Sequence, residues 1–210
     1  VAITATLAAV VVPIAVDKVQ DGKQVAAKLD VQTIAAGITA FNKDTGIWPA
    51  ISLTPYVSGD VSSKFYGVLR SGTTKADVNN IEISAALITG TDGFDPSIGS
   101  GSAGWTGTFG HLDSQLVTRP VGLTSSYNWK GPYVESYKKK DPWGNNYLVY
   151  VAAMHTATAT VAGQKKYGWI ISAGPDGVLQ TDITDSRIKG DDIGLMLFSA
   201  TDSRAGGTAQ

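Results

Sequence analysis

Apolar and polar positions divide the chain into two unlike parts. Val1 to Val16 (VAITATLAAVVVPIAV) holds no charged residue, and the first charge is Asp17. From Val16 on, the apolar positions thin to Val16, Val19, Leu29, Val31, Ile34, Ile38 and Phe41. The three- and four-residue spacing is cleanest over Val31, Ile34, Ile38 and Phe41. Lys18, Lys23, Lys28 and Asp30 fall between them, and Asn42 to Gly46 (NKDTG) supplies a stop. The pattern predicts one long helix of roughly 40 residues, apolar all round over 1–16 and amphipathic over 17–42. Pro13 and Gly22 lie inside it and predict a kink or loosened stretch rather than two helices.

A helix over 1–16 reaches only about 24 Å, short of the roughly 20 residues that span a membrane. A secretory signal peptide would open with a basic region, and no Lys or Arg leads this run. The segment is either a buried amino-terminal element or the lower part of a longer membrane helix. The amphipathic continuation favours the second. A head of this size covers one face of 17–42 and leaves 1–16 to a membrane or to other chains.

After the helix the period changes. Short β-branched or aromatic runs recur at Ile51–Val57, Lys64–Arg70, Ile81–Thr89, Gln115–Thr118, Tyr147–Ala153, Ala157–Val161, Tyr167–Ser172 and Leu195–Phe198. Gly, Pro, Asn and Asp clusters separate them, as between strands. Ala162-Gly163-Gln164 predicts a hairpin turn from Ala157–Val161 into Tyr167–Ser172, and Gly90 to Gly110 predicts a long glycine-rich loop. The expected class is α+β: a helix first, then an antiparallel sheet packed on its lower half.

Composition sharpens this. In 210 residues, charged side chains are 17% and glycine numbers 24. Both values lean away from a cytosolic enzyme and toward an exported β-rich or filament protein. A net charge of −1 gives no broad electrostatic footprint for nucleic acid. Without cysteine there is no disulfide, thiolate metal site or cysteine nucleophile. Of the 18 acids only Glu82 and Glu135 are Glu, so acidity resides mostly in turns and loops, where Asp is favoured.

Catalytic motifs are few. Gly99 to Gly104 (GSGSAG) matches G-x-G-x-x-G formally, but no strand-to-helix context surrounds it, and it reads as a chance match. His111 and His155 have no Asp, Glu or His at ligand spacing and read as structural. Lys138-Lys139-Lys140 reads as a solvated strand entry. No nucleophile–base constellation is present, which argues against an enzyme. The acidic cluster is of more interest. Asp176, Asp182, Asp185, Asp191 and Asp192 fall close together among Gly174, Gly177 and Gly190. Calcium takes six to eight oxygens, and a glycine-rich loop can gather them, although the spacing is not that of an EF-hand. Ordinary turn aspartates are the alternative.

Several segments together resemble one family. Ala2 to Pro13 (AITATLAAVVVP), the helix to Phe41 and the exit Asp44-Thr45-Gly46-Ile47-Trp48-Pro49 resemble the amino-terminal half of type IV pilins and pseudopilins. Trp129-Lys130-Gly131-Pro132-Tyr133, Lys140-Asp141-Pro142-Trp143-Gly144-Asn145, Ser172-Ala173-Gly174-Pro175-Asp176-Gly177 and Gly190-Asp191-Asp192-Ile193 resemble, in order, the major pseudopilin of type II secretion systems. The likeness covers 1–49 and about 129–198. Residues 51–128 have no counterpart and read as an insertion in a β-rich head spanning 50–210.

The resemblance implies a pilin fold in which the long helix packs on an antiparallel sheet, with a carboxy-terminal calcium loop. By position, Asp176 and Asp192 would be the side-chain ligands and Ala173 a carbonyl ligand, with Asp182, Asp185 and Asp191 as further candidates. It implies a filament core built from Val1, Ala2, Ile3, Leu7, Val10, Val11, Val12 and Pro13. The family begins with a methylated aromatic residue and a nearby glutamate. Alignment on Pro13 would place both before Val1. The expected function is a structural subunit stored in the inner membrane and polymerised by assembly machinery into a homo-oligomeric helical filament. The bulky insertion leans toward an extracellular pilus-like fibre, with a periplasmic pseudopilus as the other version. A minor pilin acting as a surface adhesin through the inserted loops is the alternative function.

Overall fold

The amino-terminal helix α1 spans Ala2–Thr45. In the computed structural model the described residues are 2–49, 68–71, 82–83, 110–120, 123, 127–135, 137–151, 160–161, 164–165, 167–182 and 185–199. The apolar spacing read from the sequence is the buried face of α1: Val31, Ile34, Ala35, Ile38 and Phe41 join the core, with Ala27 also covered. Threonine costs helix propensity, but here it is accommodated locally. Thr33, Thr39 and Thr45 donate to the carbonyls of Leu29, Ala35 and Phe41 at 2.9, 2.8 and 2.7 Å. The helix runs unbroken through Pro13 and Gly22, one helix rather than two, as the pattern predicted. It ends where NKDTG required: Gly46 turns left-handed (φ 74°) and its N–H donates to Asn42 O at 2.8 Å.

Against α1 lies a five-stranded sheet built from β1 (Val68–Arg70), β3 (Gly110–His111), β4 (Leu148–Tyr150), β7 (Tyr167–Ser172) and β9 (Ile193–Ser199). Its order is β3-β1-β4-β7-β9, and the pairings among β1, β4, β7 and β9 are antiparallel. β3 alone runs parallel to its neighbour β1. This is the α+β arrangement expected of a pilin fold. Leu148, Val149 and Tyr150, like Ile170 and Ile171, are all buried, so both faces of the sheet centre are covered. That explains why these strands read as continuous apolar runs rather than alternating ones.

Two local expectations are corrected. Gln115–Thr118, read as a strand from Val117 and Thr118, is helical: α2 covers Asp113–Leu116. The N–H groups of Gln115 and Leu116 donate to Leu112 O and those of Val117 and Thr118 to Asp113 O, and burial of Leu112 and Leu116 holds this turn against β propensity. The hairpin after Thr160 does not lead into Tyr167–Ser172. It pairs β5 (Thr160–Val161) with β6 (Gln164–Lys165), while β7 pairs with β4 and β9. Within Ile81–Thr89 the described residues are Glu82–Ile83, which form β2, parallel to β8 (Val178–Leu179); the rest of that run lies outside the described residues. Ile51–Val57, most of Gly90–Gly110 with its GSGSAG run, and His155 lie outside the described residues.

Candidate functional site

Two regions carry the chemistry that the sequence singled out: the loop between β7 and β9, and the exposed faces of α1.

The loop begins at Gly174, whose φ of 67° and approach to Asp191 leave no room for a side chain. A Cβ there would lie 2.2 Å from Asp191 O. The two ends of the loop are thereby pressed together, bringing Ala173-Gly174 against Asp191. Asp176 closes a turn: its Oδ1 accepts from Val178 N at 2.7 Å and its Oδ2 from Gln180 Nε2 at 3.1 Å. Its own N–H donates to Asp191 Oδ2 at 3.2 Å, and Gln180 Oε1 accepts from Asp191 N. Asp192 is buried, at 5% exposure. Its Oδ2 accepts from Gln180 N at 2.9 Å and Thr181 N at 2.7 Å. Its Oδ1 is buried with no hydrogen-bond partner among the described residues.

That geometry sets the electrostatics. Burial pushes the Asp192 carboxyl up to about 6, against the hydrogen bonds from Thr181 and Gln180, and the adjacent Asp191 charge adds to the rise. An ionised Asp192 therefore has one oxygen satisfied twice and one not at all.

Of the six candidate metal ligands, Asp176, Asp191 and Asp192 converge around Gln180, with Ala173 buried beside them. Asp182 and Asp185 form a separate turn. Asp185 Oδ2 accepts from Asp182 N at 2.7 Å, and Lys189 neutralises its other oxygen at 2.7 Å. Among the described residues no group of three or more His, Cys, Asp or Glu side chains is placed to hold a metal ion. The donor set fits a hard cation through Asp192 Oδ1 and requires carbonyl oxygens or water for the remaining ligands. Next to this loop, a groove of about 350 Å³ separates Asp192–Leu195 from α1, with Lys28 and Gln32 on its far wall.

The second region is the helix. Val1 and the side chains of the filament-core candidates Ala2, Ile3, Leu7, Val10, Val11, Val12 and Pro13 lie outside the described residues, although Ala2 to Pro13 are on α1. Further along, Val16, Val19, Val25 and Leu29 are each more than half exposed, at 53–58%. Val25 and Leu29 stand opposite the core face set by Ala27, Val31 and Ile34. Among the described residues no helix is long and apolar enough to cross a membrane.

The family motifs prove to be helix-gripping devices. Tyr133 of W-x-G-P-Y stacks edge-on against Phe41 (centroids 5.7 Å apart) and against Trp129 (5.7 Å), while Lys130 pairs with Asp44 at 3.4 Å. In D-P-W-G-N, Asp141 is buried and accepts from Trp143 N, Asn145 N and Ser172 Oγ. The turn it folds aims the Trp143 indole N–H at Gln20 Oε1, 3.1 Å away. The two motifs therefore seize α1 at opposite ends of its packed portion. Sequence reasoning missed Gln20, and it missed Asp30, which accepts from Tyr147 Oη. It also missed α2, although Asp113 in a first turn beside spaced leucines is a helix-start signal.

No curated protein and no solved structure matches the chain. A family model does: residues 112–191, well under half of the chain, match "Type II secretion system (T2SS), protein G". The matched stretch holds W-x-G-P-Y, D-P-W-G-N, G-P-D-G and Asp191, and it begins at α2, within 51–128. That match, with a long amino-terminal helix laid on an antiparallel sheet, supports a pilin-like pseudopilin family for this chain.

Proposed function

We propose that the chain is a structural subunit that polymerises through α1 into a filament of the type II secretion pseudopilus class. The observation that carries this reading is the match over residues 112–191 to the secretion protein G family, a family of structural, non-enzymatic subunits. It is supported by the helix itself. Val25 and Leu29 face away from the described part of the head, and exposed valine and leucine on one long helix are covered when helices pack together. The match favours a periplasmic pseudopilus over a surface fibre. Before assembly the uncharged 1–16 segment would rest in the inner membrane, and small residues such as Ala2, Ala5, Ala8 and Ala9 would then let neighbouring helices approach closely. An adhesin reading would rest on 51–128, most of which lies outside the described residues.

Calcium belongs to the same proposal. Asp192 would hold it through Oδ1, with Asp191 or Asp176 as a second carboxylate and Ala173 as a carbonyl donor. Its chemistry would be charge neutralisation and loop closure.

The test is assembly. Val25→Asp with Leu29→Asp should leave the thermal unfolding of the head unchanged, because both side chains already face solvent. Fibres visible by electron microscopy in cells expressing the secretion machinery should disappear. Normal fibres from the double variant would refute polymerisation through this helix.

A further inference from the structure

The turn Pro142-Trp143-Gly144 has a position along α1 that its packing alone does not explain. Trp143 is held at Gln20 by its indole N–H, and part of the side chain still meets solvent. Gly144 beyond it is exposed, at φ 99°, with nothing within 4 Å of where its Cβ would stand. Of the described head residues that hydrogen-bond to α1 side chains, Trp143 reaches the position nearest the helix start, and its turn presents a proline, a partly exposed indole and a bare glycine. The last residue before the first charge is Val16. At 1.5 Å per residue, Gln20 lies about 6 Å beyond it along the axis. The polar layer on each side of a bilayer's hydrocarbon core is about 5–8 Å thick. Tryptophan concentrates in that layer, its ring amphipathic and its N–H hydrogen-bonded.

We propose that the Pro142–Gly144 turn, latched to α1 through Trp143 and Gln20, is a membrane-contact surface that seats the head on the lipid headgroup layer. This rests on the reading above that residues 1–16 enter the membrane. It adds a second contact, from the head, about 120 residues along the chain from the helix segment it flanks. The occupant is a phospholipid surface because the turn continues, at the matching depth, the uncharged helix that enters the same layer. Flanking charges are mixed: Lys18 pairs with Asp21 at 3.5 Å, and Asp17 and Lys23 lie on the same stretch. The contact is therefore interfacial burial of the indole rather than attraction of a basic patch to anionic lipid.

The contact is read by tryptophan depth. Of the other four tryptophans, Trp48 and Trp129 sit near the far end of α1, about 30 Å from Gln20 along the axis, Trp169 is on β7, and Trp105, outside the described residues, is replaced by Phe in every protein tested. The full chain is bound to phosphatidylcholine–phosphatidylglycerol vesicles whose acyl chains carry bromine either near the headgroup or near the methyl end. Flotation measures binding and fluorescence measures quenching. Shallow bromine should quench about twofold more than deep bromine. Trp143→Phe should abolish that difference while still floating, and Gln20→Ala should reduce it. Protein that floats but shows the same quenching in Trp143→Phe, or none, overturns the membrane contact and leaves helix insertion standing. Protein that does not float overturns both.

Discussion

Tyr147 donates its phenol hydrogen to Asp30 Oδ2 at 2.7 Å, joining the entry of the central sheet to the middle of α1. The tyrosine has no exposed surface. Burial first, and then the hydrogen bond to Asp30 and that residue's charge, hold its pKa well above the usual phenol value. The phenol thus remains a donor at any physiological pH. The bond fixes the rotation of the helix about its own axis relative to the sheet, which apolar contacts alone specify loosely.

Tyr147→Phe should therefore destabilise the head by about 1.5–3 kcal/mol, the range for a hydrogen bond to a charged acceptor. Urea unfolding followed by circular dichroism measures it. Asp30→Asn keeps an acceptor in place and should cost less. Equal stability of Tyr147→Phe and the unmodified chain would show that the bond is dispensable.

Two glycines on the same helix should respond in opposite directions. At Gly37 a methyl would meet Val134 Cγ2 at 2.3 Å, with Tyr133 O at 3.3 Å behind it, so the head lies directly on the helix backbone there. At Gly22 nothing lies within 4 Å. Gly37→Ala should lose about 1–3 kcal/mol to overpacking. Gly22→Ala should gain up to about 1 kcal/mol from helix propensity. Thermal unfolding of both separates contact from propensity, since the substitution is the same.

How much of this was readable beforehand follows from where the information sits. The helix, its stop at Gly46 and its buried stripe from Val31 to Phe41 were legible because a 3.6-residue period is a local property. So were β7 and β9. The central sheet was harder, because pairing β1 with β4 joins residues about 80 apart, and three-residue strands leave almost no periodic trace. In the loop, the acids stood out by count, yet count could not say that Lys189 neutralises Asp185 while Asp192 is left with a bare oxygen. The grip of Trp143 on Gln20 spans 123 positions and has no local signature.

Positive-φ glycines in the loops should also differ in cost. Gly46 needs only its left-handed conformation, with nothing within 4 Å, so Gly46→Ala should cost about 1 kcal/mol. Gly174 needs the same conformation and also presses on the Asp191 backbone, at 2.2 Å from the added Cβ. A carbonyl cannot move aside as a side-chain tip can. Gly174→Ala should cost clearly more than Gly46→Ala. It should also loosen Asp176–Asp192, seen as faster hydrogen exchange at Gln180 and Thr181, whose amides bond to Asp192.

Asp192 should make stability depend on both pH and calcium. Its folded pKa of about 6 lies above the ordinary value of 3.8, so the folded state holds the proton more tightly than the unfolded one. The contribution of this group is thus fully present below about pH 3.8 and is lost as pH rises through about 6. At pH 7 in the presence of a chelator, Asp192→Asn should match or exceed the unmodified chain by about 1–2 kcal/mol. The difference should close below the unfolded value. Excess calcium should reverse the order at pH 7, raising the melting temperature of the unmodified chain by mass action and leaving Asp192→Asn unmoved. A calorimetric scan of both proteins, with chelator and with calcium at two pH values, tests every part. If calcium leaves the unmodified chain unshifted, Asp192 is a buried carboxylate without a metal. If the chelated pair does not converge at low pH, burial of the ionised Asp192 carboxylate is not what separates the two proteins.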